Sequence, residues 1–142
     1  MRLCVTLFFL LYVNMGYAAQ PKTPFTAPNF EGVYQCTGMD AHEGAYQAKV
    51  TLSLKKHLSY GEYGSYSFKL EAPDYGVYLG EAAQHGLHVA MYFALKDQKT
   101  HDYGNGISEF SKNAKGQWQF HKFYYEPEFK GGNTGIEDCV KQ

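Results

Sequence analysis

Residues 81–96 read EAAQHGLHVAMYFALK, and the fold depends on whether they form a helix or a hairpin. Ala83, Leu87 and Met91 fit helical spacing, but the apolar residues also alternate as they would in a strand. Gly86 favours the hairpin, because a glycine inside a helix costs about 1 kcal/mol relative to alanine, whereas Gln-His-Gly between two alternating runs is an ordinary hairpin connection. The stretch therefore predicts two antiparallel strands.

The same alternation runs through most of the chain. In residues 46–54, YQAKVTLSL, the apolar side chains fall on one face and the polar side chains on the other. We expect about eight strands, separated by turns that mostly contain glycine, at 30–37, 45–55, 62–71, 76–83, 87–96, 104–111, 117–126 and 134–140. Short alternating strands without a convincing helix predict an all-β fold, either an antiparallel sandwich or a closed barrel.

A short internal repeat favours the barrel. The sequence Asp-Tyr-Gly-x4-Glu begins at Asp74 and again at Asp102, and each copy runs into a hairpin turn. Two consecutive strand pairs that resemble one another suit an up-and-down order of strands better than a Greek key. We therefore predict an antiparallel up-and-down barrel of about eight strands.

The first 18 residues, MRLCVTLFFLLYVNMGYA, predict a secretory signal peptide. Arg2 precedes an apolar run at 3–13, and small residues occupy the positions before a cleavage site after Ala18. Residues 19–29 contain three prolines and predict an extended leader, which leaves 30–142 as a single domain. The apolar run is shorter than the roughly 20 residues of a spanning helix, so we expect no membrane span and a periplasmic or extracellular protein.

Cys36 and Cys139 are the two cysteines that remain after cleavage at Ala18. In an oxidising compartment the first hypothesis is a disulfide, and only one pairing is possible. The bond would join the start of the domain to its end. A zinc site is less favoured because neither cysteine has a second cysteine at the usual close spacing.

The charge pattern argues against a nucleic-acid partner. Cleavage after Ala18 leaves 12 lysines, no arginine and 14 acidic residues. Phosphate binding needs clustered positive charge, and base recognition favours the two-pronged guanidinium of arginine. The longest run of lysines is the pair Lys55-Lys56. A solvated, nearly neutral surface is the simpler interpretation.

The search for catalytic motifs favours a protein that is not an enzyme. The sequence contains no Gly-x-Ser-x-Gly, no His-Glu-x-x-His and no phosphate-binding loop. His85 and His88 flank the expected hairpin turn and are not forced onto one face, so we assign no metal there. Asp40 and Asp102 lie next to histidines in expected loops and are interpreted as solvated turn residues. No cofactor is predicted.

Several segments resemble known families of small barrels. GVYLGEAAQHGLHVAMYF at 76–93, KGQWQF at 115–120 and GGNTGIEDC at 131–139 resemble secreted bacterial barrels of the calycin type, which include lipocalins and avidins. That resemblance implies a ligand-binding barrel. VYQC at 33–36 and EDCVKQ at 137–142 are similar to the disulfide framework of periplasmic lysozyme-inhibitor barrels, although the inhibitory Ser-Gly-x-x-Tyr loop has no match.

The stretch 117–126, QWQFHKFYYE, carries aromatic residues on both faces of an expected strand. Large aromatic side chains can fill a core, and tyrosine also suits recognition because it has an apolar body and a polar tip. The predicted function is non-enzymatic binding of a small apolar or aromatic molecule, and the alternative is a protein-interaction module such as a periplasmic enzyme inhibitor. The candidate ligand-binding residues are Trp118, Phe120, Tyr124, Tyr66 and Tyr92.

Overall fold

A computed structural model describes residues 23–142, and the predicted signal peptide at 1–18 lies outside them. Eight strands follow one another along the chain, with short 3₁₀ turns after three of them. The strands are β1 (Gly32–Asp40), β2 (Gly44–Leu54), β3 (Tyr63–Ala72), β4 (Gly76–His85), β5 (His88–Leu95), β6 (Tyr103–Lys112), β7 (Trp118–Glu126) and β8 (Asn133–Lys141). Within 23–142, no helix has both the length and the apolar character needed to cross a membrane.

The strands form a closed antiparallel barrel with up-and-down topology. Each strand pairs with the next along the chain, and β8 pairs with β1 to complete the ring. Cys36 and Cys139 lie directly opposite each other across this last pair and form a disulfide. Both cysteines are buried. The predicted fold class and disulfide are therefore confirmed, and the disulfide links the first strand to the last.

Residues 81–96 form the hairpin that the sequence predicts. Gly86 has a φ of +59° in the turn, a left-handed conformation that glycine adopts without strain. Val89, Met91 and Phe93 point into the barrel, whereas Leu87 lies in the turn and is 43% exposed. The strand expected at 87–96 is therefore present, but it begins at His88, and Leu87 belongs to the turn.

The first strand differs most from its expected bounds. It ends at Asp40 rather than at residue 37, because the chain stays extended through Gly38. A Cβ on Gly38 would lie 2.2 Å from Cζ of Tyr46 on the neighbouring strand. The glycine thus leaves room for an inward tyrosine ring, and the extra residues carry Asp40 into the barrel, where it is 9% exposed.

One end of the barrel is filled by the residues that precede β1. Phe30 is fully buried and stacks on Phe110, with 4.0 Å between ring centroids. Trp118 meets Phe30 edge to face at 5.0 Å. The backbone N–H of Phe30 donates to the hydroxyl of Tyr66, and the side chain of Gln84 donates to the carbonyl of Pro28. We call this the plugged end.

Candidate functional site

The opposite end of the barrel holds a recess. It lies where β1, β3, β5 and β7 end and where β2, β4, β6 and β8 begin. Its cavity volume is about 50 Å³, and the empty space including the open mouth is about 480 Å³. A cavity of this volume has room for a few water molecules or the head group of a ligand. The recess is lined by Asp40, Glu43, Tyr46, Leu70, Ala72, Tyr75, Tyr78, Phe93, Asp102, Lys122, Tyr124, Glu126, Phe129 and Glu137.

Asp40 is the best-satisfied carboxylate of the recess. Its Oδ1 accepts hydrogen bonds from the backbone N–H groups of His42 and Glu43, at 2.8 and 2.9 Å. Its Oδ2 accepts from the hydroxyl of Tyr124 and from Nδ2 of Asn133, both at 2.7 Å. Burial acts to raise the pKa of Asp40, but these four donors together lower it below its ordinary value. Asp40 is therefore an ionised residue held in a fixed position.

Asp102 and Glu126 form a second group of carboxyls, and both are almost fully buried. Oδ2 of Asp102 accepts a hydrogen bond from the hydroxyl of Tyr78 at 2.8 Å, and Oε2 of Glu126 accepts one from Nδ2 of Asn133 at 2.5 Å. Burial raises the pKa of Asp102. Burial, reinforced by the charges of Asp102 and Asp40, raises the pKa of Glu126 to about 7. Below about pH 7, Glu126 therefore holds a proton.

Lys122 and Glu137 lie behind this group and face each other across β7 and β8. Nζ of Lys122 is 2.6 Å from Oε2 of Glu137, and Oε1 of Glu137 accepts from the hydroxyl of Tyr46 at 2.6 Å. The ammonium also lies over the rings of Phe93 and Tyr124, at 5.1 and 5.3 Å from their centroids. The positive charge of Lys122 is therefore balanced inside the barrel by Glu137.

Three tyrosines supply both walls and hydrogen-bond donors. Burial raises the pKa values of Tyr46, Tyr78 and Tyr124, and nearby carboxylates raise them further. Each hydroxyl keeps its proton and donates to a carboxylate, as described above for Glu137, Asp102 and Asp40. The recess thus combines apolar ring faces with acidic oxygens.

The structure separates the five aromatic residues that the sequence suggested as ligand-binding. Tyr124 lines the recess. Trp118, Phe120 and Tyr66 point inward at or near the plugged end, where Phe120 packs on Phe110 and Tyr66 bonds to Phe30. Tyr92 is 47% exposed on the outer face of the barrel. Of these five residues, only Tyr124 is placed to contact a molecule in the recess.

The expectation that Asp40 and Asp102 are solvated turn residues is wrong. Both are buried, at 9% and 8% exposure, whereas their neighbours His42 and His101 are exposed. Asp40 belongs to the inward alternation of β1, which the sequence pattern lost at Gly38. Asp102 lies one residue before β6, and the alternation of inward residues along β6 continues back to it. Extending each period-two pattern through its glycines would have found both residues.

The described residues offer no evident metal centre. Within 23–142, the only group of three potential ligands with donor atoms close together is Cys36, Glu137 and Cys139. The two sulfur atoms of that group are bonded to each other and are not thiolates. His85 and His88 are cross-strand partners, but the ring of His85 stacks on Tyr63 instead.

No protein-family model and no curated protein matches the sequence. One similar solved structure is described as "Structure of EF1p2_mFAP2b bound to DFHBI". It has 10% sequence identity and a TM-score of 0.46, and the alignment covers 79% of this chain and 93% of that one. Similarity at this level supports no conclusion about the ligand of this chain.

Proposed function

We propose that this chain is an exported, non-enzymatic binding protein that holds a small ligand in the recess at the open end of the barrel. The observation that carries the proposal is the difference between the two ends. Phe30 fills one end completely, whereas the other retains a recess walled by aromatic rings. A concave, mainly apolar site with a few convergent polar groups is the usual form of a small-molecule site.

The lining of the recess favours binding over catalysis. Glu126 has the raised pKa that some catalytic acids have, at about 7. However, none of the lining residues is a serine, cysteine or histidine, and Lys122 is paired with Glu137. Without a free nucleophile beside it, a buried carboxyl serves more readily as a hydrogen-bonding group for a ligand. The ligand's apolar or aromatic body would lie against Tyr78, Phe93 and Tyr124.

The proposal is tested by titrating the chain lacking residues 1–18 with small aromatic probes and following backbone amide signals by NMR. Benzyl alcohol, benzylamine and benzoate are suitable because each has one ring and a different polar group. We expect saturable shifts from at least one probe at recess residues such as Ala72 and Phe93, and none at Phe30. Tyr124→Ala should weaken that binding, whereas Phe123→Ala on the outer face should not. If no probe gives saturable shifts in the recess, the proposal fails.

A second candidate function is protein interaction, and one surface feature favours it. Met39, Ile136, Phe123 and Ile107 are successive neighbours across four adjacent strands on the outside of the barrel. Each is between 42% and 61% exposed. If this surface binds a protein, a photo-crosslinking residue at position 123 should capture one defined partner. The same residue at position 35 should not. Equal yields at both positions would exclude this surface.

A further inference from the structure

We infer that the ligand of the recess carries a protonated amine: a small organic cation whose ammonium lies among Asp40, Asp102 and Glu126 and whose apolar body lies against the tyrosine rings. This inference rests on the proposed binding function and specifies the chemical class of the ligand. It is carried by an imbalance of charge, by a buried acceptor atom without a donor, and by the aromatic walls of the recess.

The charges that line the recess do not balance. Five carboxyls and a single lysine line it. Lys122 is paired with Glu137, and Glu43 forms an ion pair with Lys130 near the mouth. Within residues 23–142 no lysine or histidine forms an ion pair with the other three carboxyls, which are Asp40, Asp102 and Glu126. Buried carboxylates are ordinarily paired with a cation, so these three favour a cationic ligand.

One buried oxygen atom of the recess lacks a donor. Oδ1 of Asp102 accepts no hydrogen bond from the N–H and O–H groups of the described residues, and the side chain is 8% exposed. Leaving a buried acceptor unsatisfied is unfavourable. An ammonium carries three N–H donors and no acceptor, so it can supply the donor that this oxygen lacks.

The walls of the recess favour an organic cation over a metal ion. Hard metal ions such as Mg²⁺ and Ca²⁺ are bound through oxygen ligands, whereas aromatic faces bind ammonium groups well. The barrel already shows this contact, because its own buried ammonium, that of Lys122, lies over Phe93 and Tyr124. Both rings also line the recess, so a ligand ammonium held there would meet the same kind of aromatic surface.

Binding of such a cation should release a proton. The ammonium would replace the proton that Glu126 holds, and burial keeps that proton in place up to about pH 7, the pKa of Glu126. The other titratable groups that line the recess are Asp40 of β1, Glu43 of the following turn, Tyr46 of β2, Tyr75 of the turn before β4, Tyr78 of β4, Lys122 and Tyr124 of β7, and Glu137 of β8. Of these, Asp40 is already ionised and the buried tyrosines stay neutral. A cation should therefore bind more tightly at pH 8 than at pH 6.

The test is calorimetric titration of the chain lacking residues 1–18 with benzylamine, benzyl alcohol and benzoate at pH 6 and pH 8. We expect benzylamine to bind with one-to-one stoichiometry and at least about tenfold more tightly than benzyl alcohol, with benzoate weakest. Benzylamine binding at pH 6 should release close to one proton, measured in buffers of different ionisation enthalpy. Equal affinity for benzylamine and benzyl alcohol would overturn the cationic class and leave the binding function intact. Binding of none of the three would overturn both.

Two matched variants locate the effect. Asp102→Asn removes a charge inside the recess, and Asp138→Asn removes one from the outer face of β8, where the side chain is 70% exposed. We expect at least about a tenfold loss of benzylamine affinity from the first variant and little change from the second. Equal losses would mean that only net charge matters, and would overturn the assignment. If Asp102→Asn does not fold, Glu126→Gln should abolish the proton release at pH 6, and unchanged proton release in that variant would overturn the inference equally.

Discussion

Lys122 and Glu137 form an ion pair inside the barrel, with Nζ 2.6 Å from Oε2 and both side chains 1% exposed. They are direct cross-strand partners on β7 and β8. On β7, Lys122 stands between Phe120, which packs toward the plugged end, and Tyr124, which lines the recess. The pair therefore separates the apolar half of the interior from the half that holds the other carboxyls.

Replacement of Lys122 by methionine should strongly destabilise the fold. It would leave the carboxylate of Glu137 buried without a cation, which typically costs about 3–5 kcal/mol. The double variant Lys122→Met/Glu137→Leu should lose less, because no isolated charge remains. Denaturant unfolding measures both. Lys49→Met is the control, because its 3.0 Å pair with Glu71 lies on the outer surface, where water screens the charges and the loss should be small. Equal losses for Lys122→Met and Lys49→Met would contradict the burial of the pair.

The disulfide should be present in the purified protein and should contribute to its stability. Labelling of free thiols under denaturing, non-reducing conditions should find none on Cys36 or Cys139. The bond closes a loop with a sequence separation of 103 residues. In the chain-entropy model such a loop is worth up to about 4–5 kcal/mol. Cys36→Ala/Cys139→Ala should unfold at lower denaturant concentration and otherwise keep its strand content. Two labelled thiols per mature chain would refute the bond.

Glu126 should make the protein less stable as the pH rises from about 4.5 to about 7. The pKa of Glu126 is raised from its ordinary value of 4.5 to about 7 in the folded state, chiefly by burial, so the folded state keeps a proton that the unfolded state has already lost. The contribution of Glu126 to the free energy of unfolding is therefore fully present below the unfolded pKa and is lost as the pH rises to the folded pKa. This contribution is at most roughly 3 kcal/mol.

The variant Glu126→Gln isolates that effect. A glutamine does not ionise, so the fall in unfolding free energy between pH 5 and pH 7.5 should be much smaller than in the wild type. Glu109→Gln, on the exposed face of β6, should leave the fall unchanged. Unfolding in urea at a series of pH values gives the comparison. The same slope in wild type and Glu126→Gln would show that another group titrates.

Most of the fold could be predicted from the sequence because period-two alternation is a local property. Residues 46–54 and 81–96 already contain their inner and outer faces, and the two cysteines left no choice of pairing. The error at the end of β1 arose at Gly38, where the residue that faces inward has no side chain to mark the pattern.

The site could be predicted only in part, because it depends on which end of the barrel is filled. The inward face of β7 was evident, and it includes both Phe120 and Tyr124. Whether those residues meet a cavity depends on Phe30, which lies outside the strands and fills one end of the barrel. The burial of Asp102 likewise follows from contacts with residues distant in sequence, such as Tyr78. Such contacts leave no local pattern.

A side chain at position 135 should interfere with the recess tyrosine. Gly135 is the cross-strand partner of Tyr124, and a Cβ there would lie 2.2 Å from the Cζ atom of the ring. Gly135→Ala should therefore destabilise the fold by about 1–3 kcal/mol, the usual range for overpacking. In a Tyr124→Ala background the same change should be much less unfavourable. A double-mutant cycle measured by denaturant unfolding tests this, and additive effects would contradict the contact.

Truncation of Phe30 should open the plugged end, and the fluorescence of Trp118, the single tryptophan, should detect the change. Phe30 is fully buried between Phe110 and Trp118, at centroid distances of 4.0 and 5.0 Å. Phe30→Ala should cost about 3–5 kcal/mol, as expected for a buried aromatic side chain, and the emission of Trp118 should shift to longer wavelength as water reaches the ring.

Phe123→Ala is the matched control for that change. The side chain of Phe123 is 48% exposed on the outside of the barrel, so its loss should cost well under 1 kcal/mol and leave the tryptophan emission unchanged. The recess lies at the opposite end of the barrel, so probes that bind there should change the emission of Trp118 little in the wild type. Unchanged stability and emission in Phe30→Ala would show that this residue does not fill the barrel end, and the distinction between plugged and open ends would then fail.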